Sequence, residues 1–239
     1  MQALFKKSIR MQDPIEHFLS VTGFDAGEIL KVSAGAKYAA VMLKNGHIGV
    51  CATLGRNVNA DLPGTNISDI SNRILLNAYF NAKLNYSNEE VFENDIFDEI
   101  DFSGYKNIVM VGFFGSLIEK FNSCNIPVEI FDPAKQSPEI ACMEKQISSV
   151  SNAGAIILTS TSVFNGTFIK KTSEAPAGCD IFLLGPSGTL HRHMFSPPNI
   201  KMVFGALFEP FDEKVLQIIE KGYGTPHFSK YMKKVFIKR

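Results

Sequence analysis

Asn107-Ile108-Val109-Met110-Val111-Gly112-Phe113-Phe114-Gly115-Ser116 is the stretch that decides the fold. Asn107–Val111 reads as a strand, and its apolar residues run on without alternation. Such a run fits a strand buried on both faces, as in a parallel sheet covered by helices. Gly112 then permits a tight turn, and Gly115 lets a ligand or a helix approach the backbone. A helix is expected over Ser116–Asn122, with its first N–H groups turned toward any anion at the strand end. The stretch is not GxGxxG, because Phe113 and Phe114 fill the middle.

Toward the C-terminus the same grammar repeats. Strands are expected at Val128–Phe131, Ala155–Thr159, Ile181–Leu184 and Met202–Phe204. Helices are expected over Pro138–Val150, in a short piece after Asn165, and over Asp212–Lys221. Strands alternating with helices imply an α/β fold, a Rossmann-like parallel sheet with right-handed crossovers. Ligands of such sheets bind just beyond the carboxyl ends of the strands.

Those ends carry the candidate site. Asp132 closes the second strand, 20 residues after Gly112, where a dinucleotide site places its ribose-binding acid. It also suits a turn cap beside Pro133. The third strand ends in Thr159-Ser160-Thr161-Ser162, followed by Asn165-Gly166-Thr167. One helix cap would explain one such residue, not six, so this cluster reads as a ligand site. The fourth strand ends in Gly185-Pro186-Ser187-Gly188-Thr189, which lacks the last glycine of a GxSxG nucleophile elbow. A rigid turn offering backbone donors and the Ser187 hydroxyl fits better. His191 and His193 follow, two residues apart, and in extended chain they would project together as metal ligands or stand in solvent as loop histidines.

Upstream the pattern is α+β. Asp13-Pro14 is a helix start. Tyr38–Leu43 and His47–Ala52 flank Lys44-Asn45-Gly46 as a hairpin. Residues 57–66 read as a loop, and a helix follows from about Ser68. The acidic run Glu89–Asp101 reads as an exposed helix and linker rather than a cation site. The chain thus divides into a smaller α+β domain over 1–102 and a Rossmann-like domain over 103–239.

Composition narrows the classes. The 239 residues are 45% hydrophobic and 20% charged, with zero formal net charge. That describes a globular protein and gives no footprint for nucleic acid or an anionic membrane. No apolar run approaches a membrane span. Met1–Lys7 lacks the features of a signal peptide, so a cytoplasmic location is expected. Cys51, Cys124, Cys142 and Cys179 are scattered without CxxC spacing and read as four buried free thiols.

Three stretches carry a family resemblance: Ile156–Thr167, Leu183–Ser187, and Phe204-Gly205. Val109–Phe114, Leu76-Asn77-Ala78 and the hairpin around Gly46 and Gly49 add to it. Together they resemble the putative heavy-metal-chelation proteins, in which an enolase-N-terminal-like domain precedes a Rossmann-like one. The resemblance implies a site in the cleft between the domains, with Asn77 reaching in from the first. The expected function is binding of a small polar ligand, in heavy-metal chelation or chelator metabolism, by Asn77, Gly112, Gly115, Asp132, Thr159, Thr161, Asn165, Thr167, Gly185, Pro186 and Ser187. The alternative is an enzyme using a nucleotide or S-adenosylmethionine, with Asp132 on the ribose. The cofactor stays open between a transition metal, at His191 and His193, and a nucleotide-like ligand.

Overall fold

The computed structural model describes residues 11–239, so the reading of Met1–Lys7 lies outside the described residues. Two sheets organise the chain. The first is antiparallel, in the order β1 (Ile29–Ala34), β2 (Tyr38–Leu43), β3 (Ile48–Ala52). The second has six strands: β4 (Ile108–Val111), β5 (Val128–Phe131), β6 (Ala155–Thr159), β7 (Asp180–Leu184), β8 (Ile200–Phe208) and β9 (Met232–Lys238). Their order is β5-β4-β6-β7-β8-β9, parallel except for β9, which runs antiparallel to β8. This is the Rossmann-like sheet that the apolar runs imply, preceded by a smaller α+β unit.

Helix α1 (Pro14–Val21) starts where Asp13 accepts from the Ile15 and Glu16 N–H groups, with Pro14 at the first helical position. Helix α2 (Ile70–Leu84) is capped by Asp69 and buries ten consecutive residues, Arg73 to Ala82. Short α3 (Ile96–Glu99) carries a capping box between Asp95 and Asp98. Helices α4 (Gly115–Ser123), α5 (Gln146–Ser151), α6 (Thr161–Phe164) and α7 (Phe168–Glu174) follow β4, β5 and β6. After β8 come α8 (Glu213–Glu220) and α9 (Thr225–Phe228).

The first sheet is buried on both faces. Ala39, Val41 and Leu43 face a core shared with α2, while Ala40, Met42, Ile48 and Val50 pack on Val215, Leu216 and Ile219 of α8. The alternation of β2 therefore sorts its residues between two apolar layers, which is why the run shows no polar face. The core under α2 continues into β4, β6 and β7 through Val109, Ile156 and Leu183.

The hairpin forms as expected around Lys44-Asn45-Gly46: His47 O accepts from Leu43 N–H, Leu43 O accepts from Gly46 N–H, and Gly46 takes the left-handed φ of 89° that closes a three-residue loop. Several other local expectations change. Strands β1 and β9 are additional to those expected. Leu30 and Lys31 leave β1 with no clean apolar pattern, and β9 is a lysine-rich edge strand. The helix expected over Pro138–Val150 shrinks to Gln146–Ser151, because Ile140 pairs beside Ile130 and holds the earlier part extended. At the far edge Phe92 pairs with Phe236, so both edges of the large sheet are covered. The acidic run is strapped down as well: Asp95 pairs with Lys120 and Glu99 with Lys238. All four cysteines are free, but Cys124 and Cys142 are exposed rather than buried, since they lie at the end of α4 and on the connection after β5. No described helix is long and apolar enough to cross a membrane.

Candidate functional site

From β4 the chain moves outward to β5, then returns to the other side of β4 to build β6. The two strand-to-helix turns diverge there, and in open parallel sheets such divergence leaves the ligand crevice beyond the carboxyl ends of the strands, here β4 and β6. Gly112 lies at this point with φ 112°, and a Cβ on it would stand 2.8 Å from Thr159 Cβ. Only glycine lets the β4 turn pass so close to β6. The Thr159 and Thr161 hydroxyls are half-buried and bond each other at 3.0 Å. Gly185, at φ 125°, completes the rim after β7, and the Phe114 ring lies between Gly112 and Gly185. Helix α4 begins here without any side-chain cap, so its first N–H groups offer donors to the crevice. Gly115 has only the Phe113 ring near its Cβ position, at 3.7 Å.

Asp132 stands beside this mouth and holds it in shape. Its Oδ2 accepts from Phe113 N–H at 2.9 Å and its Oδ1 from Ala134 N–H at 2.8 Å. Asn165 and Thr167 form their own exposed turn, in which Asn165 Oδ1 accepts from both the N–H and the hydroxyl of Thr167. Their side chains bond to each other and not to the mouth residues, while Asn165 N–H donates to the Thr161 carbonyl at 3.1 Å. Pro186 is half-buried on the rim.

Asn77 and Ser187 lie beneath the mouth. Ser187 is 2% exposed; its Oγ accepts from Ala52 N–H at 2.9 Å, and its carbonyl accepts from Asn77 Nδ2 at 2.9 Å. Asn77 is the first rung of a ladder along α2. Asn81 Nδ2 donates to Val50 O, while its Oδ1 accepts from the Thr189 hydroxyl at 2.6 Å. Asn85 Oδ1 accepts from Leu190 N–H at 2.7 Å, and its Nδ2 donates to Gly188 O and Ala206 O. Asn88 Nδ2 reaches Leu190 O at 2.7 Å. Asparagines on α2 and just past its end thus pair backbone atoms of Ser187, Gly188 and Leu190 and the Thr189 hydroxyl, groups that would otherwise lie buried without partners. The signal was present in the sequence: asparagines at i, i+4, i+8 and i+11, the first two on the buried part of α2 and the last two in the turn that follows it.

Two further groups were not singled out by sequence reasoning. Arg73, 9% exposed, donates to the Val163 and Phe164 carbonyls at the end of α6 and pairs with Asp13 at 2.7 Å. It ties α1, α2 and α6 together and so fixes Thr161. His17 is the second. Its ring stacks on His193 with centroids 3.4 Å apart, and both rings lie against Phe18. His191 Nδ1 accepts from His193 N–H, and His193 Nδ1 faces Ser196 Oγ. Burial, followed by the nearby His17 and His191, pushes His193 down to about 4, and His191 is lowered by burial and His17. Among the buried thiols, Cys51 is pushed far up by burial, and Cys179 rises to about 12 through burial and Asp180. Neither supplies a thiolate at neutral pH.

A pocket of about 610 Å³ opens at the amino ends of β4 and β5, lined by Tyr105, Asn107, Pro127 and Asn152 among others. It lies at the opposite end of the strands from the α4 N–H groups, away from the carboxyl ends where ligands of open parallel sheets bind.

A parallel sheet with a polar mouth at its switch point places the chain among the Rossmann-like proteins. Residues 95–238 match the model of the family DUF364, described as putative heavy-metal chelation, and the chain belongs to that family. Two solved structures share the fold. One is a protein of unknown function from this family from Pyrococcus horikoshii: 18% identity, TM-score 0.75, covering 88% of this chain and 93% of that one. The other, also of unknown function and from the same family, is from Desulfitobacterium hafniense DCB-2: 14% identity, TM-score 0.71, covering 94% and 96%. The search of curated proteins gave no match.

Proposed function

We propose that the chain binds a small polyanionic chelator, free or carrying its metal, in the mouth beyond β4, β6 and β7. The observation behind this reading is the contact of Gly112 with Thr159 at the switch point between β4 and β6. Around it stand a helix start without a side-chain cap and two hydroxyls that bond each other. Such hydroxyls can donate to or accept from a carboxylate-rich ligand without desolvating a fixed charge. The family's description as heavy-metal chelation supports the ligand class. The nucleotide reading gains no comparable support, since both oxygens of Asp132 already serve the backbone of the β4 and β5 turns. Asn77 and Ser187 serve this reading as supports of the rim, and Gly185 and Pro186 as the rim itself.

Titration calorimetry with citrate and with zinc citrate, on wild type and on a Thr159→Val/Thr161→Val variant, tests the proposal. The variant should bind at least about tenfold more weakly, the equivalent of roughly 1.4 kcal/mol. Equal affinity in both proteins would take the ligand out of the mouth. Native mass spectrometry of protein purified without chelator should show a bound anion that the variant loses.

A further inference from the structure

Strand β5 reads Val128-Glu129-Ile130-Phe131, and a carboxylate interrupts an otherwise apolar run. Val128 and Glu129 are half-buried, whereas Ile130 and Phe131 are buried. The cause lies in the crossover that follows. Ile140 pairs beside Ile130 in extended chain, and α5 has only six residues, of which Val150 alone is buried. A longer crossover helix would cover this end of β4 and β5. Here the cavity of about 610 Å³ remains, a size usual for a small organic ligand.

The lining of this cavity has one sign of charge. Glu129 and Glu139 belong to it, and no Lys, Arg or His does. The bridge between Ile130 and Ile140 is parallel, so the residues just before them, Glu129 and Glu139, stand side by side on neighbouring segments. Like charges so placed are destabilising. Glu139 accepts from the Ser137 hydroxyl, whereas the Glu129 carboxylate bonds no described group.

The neutral polar groups have turned their donors away. Asn107 Nδ2 donates to the Asn152 carbonyl at 3.2 Å, Asn152 Nδ2 to the Ser148 carbonyl at 2.8 Å, and the Ser148 hydroxyl to the Lys145 carbonyl at 2.9 Å. The amide and hydroxyl oxygens are left to accept. A fitting guest therefore brings positive charge and N–H donors, with aliphatic surface to lie against Val109, Ile140 and Pro127. Two carboxylates are too few for a bare metal ion, and no three His, Cys, Asp or Glu side chains gather as a metal site among the described residues.

We propose that this cavity binds an aliphatic diammonium ion, a short linear diamine. One ammonium sits between Glu129 and Glu139. The other meets the amide oxygens of Asn107 and Asn152 at the amino end of β4. Val109 pairs with Glu129 and lies two residues beyond Asn107, so the two ends of the cavity are about 6–7 Å apart along the strands. That span suits an extended four-carbon diamine. The site lies at the opposite end of the sheet from the mouth and does not depend on the chelator reading.

Calorimetry of the full chain with putrescine tests the proposal. One equivalent should bind, and added salt should weaken it by screening. Glu129→Gln keeps the shape of the side chain and removes its charge. It should weaken binding at least tenfold without lowering stability in urea, because the repulsion with Glu139 goes with the charge. Glu139→Gln should weaken binding by a smaller factor, and Thr159→Val/Thr161→Val should change nothing. Uncharged butanediol should not bind. Butylamine, which carries the single ammonium of a lysine side chain, should bind at least tenfold more weakly than putrescine. Equal putrescine affinity in wild type and Glu129→Gln would overturn the proposal. So would the absence of saturable binding at one equivalent, or butanediol or butylamine binding as tightly as putrescine.

Discussion

The mouth and the seam beside it are built from the same residue types and behave as opposites. At the mouth, Thr159 and Thr161 keep half-exposed hydroxyls bonded to each other, and the start of α4 goes uncapped. A few residues along the rim, Ser187–Leu190 dives under α2, where Asn77, Asn85 and Asn88 pair its backbone and Asn81 accepts from the Thr189 hydroxyl. Polarity alone therefore says little about function. What separates a ligand site from a structural joint is whether the polar atoms have already found partners within the chain. The seam's polar groups are paired across the chain and hold it rigid, while the mouth, on the proposed reading, keeps capacity for a guest.

The sharpest way to break this contrast is at Gly188. A Cβ there would stand 1.9 Å from the Phe204 carbonyl oxygen, an immovable backbone atom of β8. Gly188→Ala should cost about 4 kcal/mol or more, or abolish folding, as read by urea unfolding and by soluble yield. A mild effect would mean that the seam is looser than its contacts indicate. Next comes Asn85→Ala. It strips the Leu190 N–H and the Gly188 and Ala206 carbonyls of their side-chain partner inside the core. A loss of roughly 2–4 kcal/mol is expected in urea unfolding, with citrate affinity retained in whatever remains folded.

Asn165 supplies an intermediate case, an exposed turn that is neither seam nor mouth. Asn165→Ala removes the acceptor for the Thr167 N–H and hydroxyl and should cost about 0.5–1 kcal/mol without altering citrate binding. A selective loss of binding would instead move Asn165 into the mouth. The smallest effect on stability belongs to Thr159→Val/Thr161→Val, within about 0.5 kcal/mol, because the two hydroxyls are half-exposed and satisfied mainly by each other. A large destabilisation would turn the mouth into a second seam and remove the contrast.

The sequence by itself determined the large sheet. Strands β4, β6 and β7 announce themselves as short continuous apolar runs, and burial on both faces is a property of each run taken alone, whereas β5 is interrupted by Glu129 and only half buried. The Asp13 cap, the glycine turn after β4 and the strand-end location of Thr159 and Gly185 were legible for the same reason: each is decided within a few residues. Only the tertiary structure decided the rest. Strand β1 exists because β2 pairs with it, and β9 because β8 extends far enough to receive it. The acid at the end of β5 became a turn holder because Phe113 N–H came within reach. Asn77 and Ser187 became joints because α2 lies across their segment. His17 met His193 only once α1 had docked beside the chain that follows β7. Apolar burial is written along the chain with a local period, whereas the pairing of a polar atom depends on which distant group arrives to meet it.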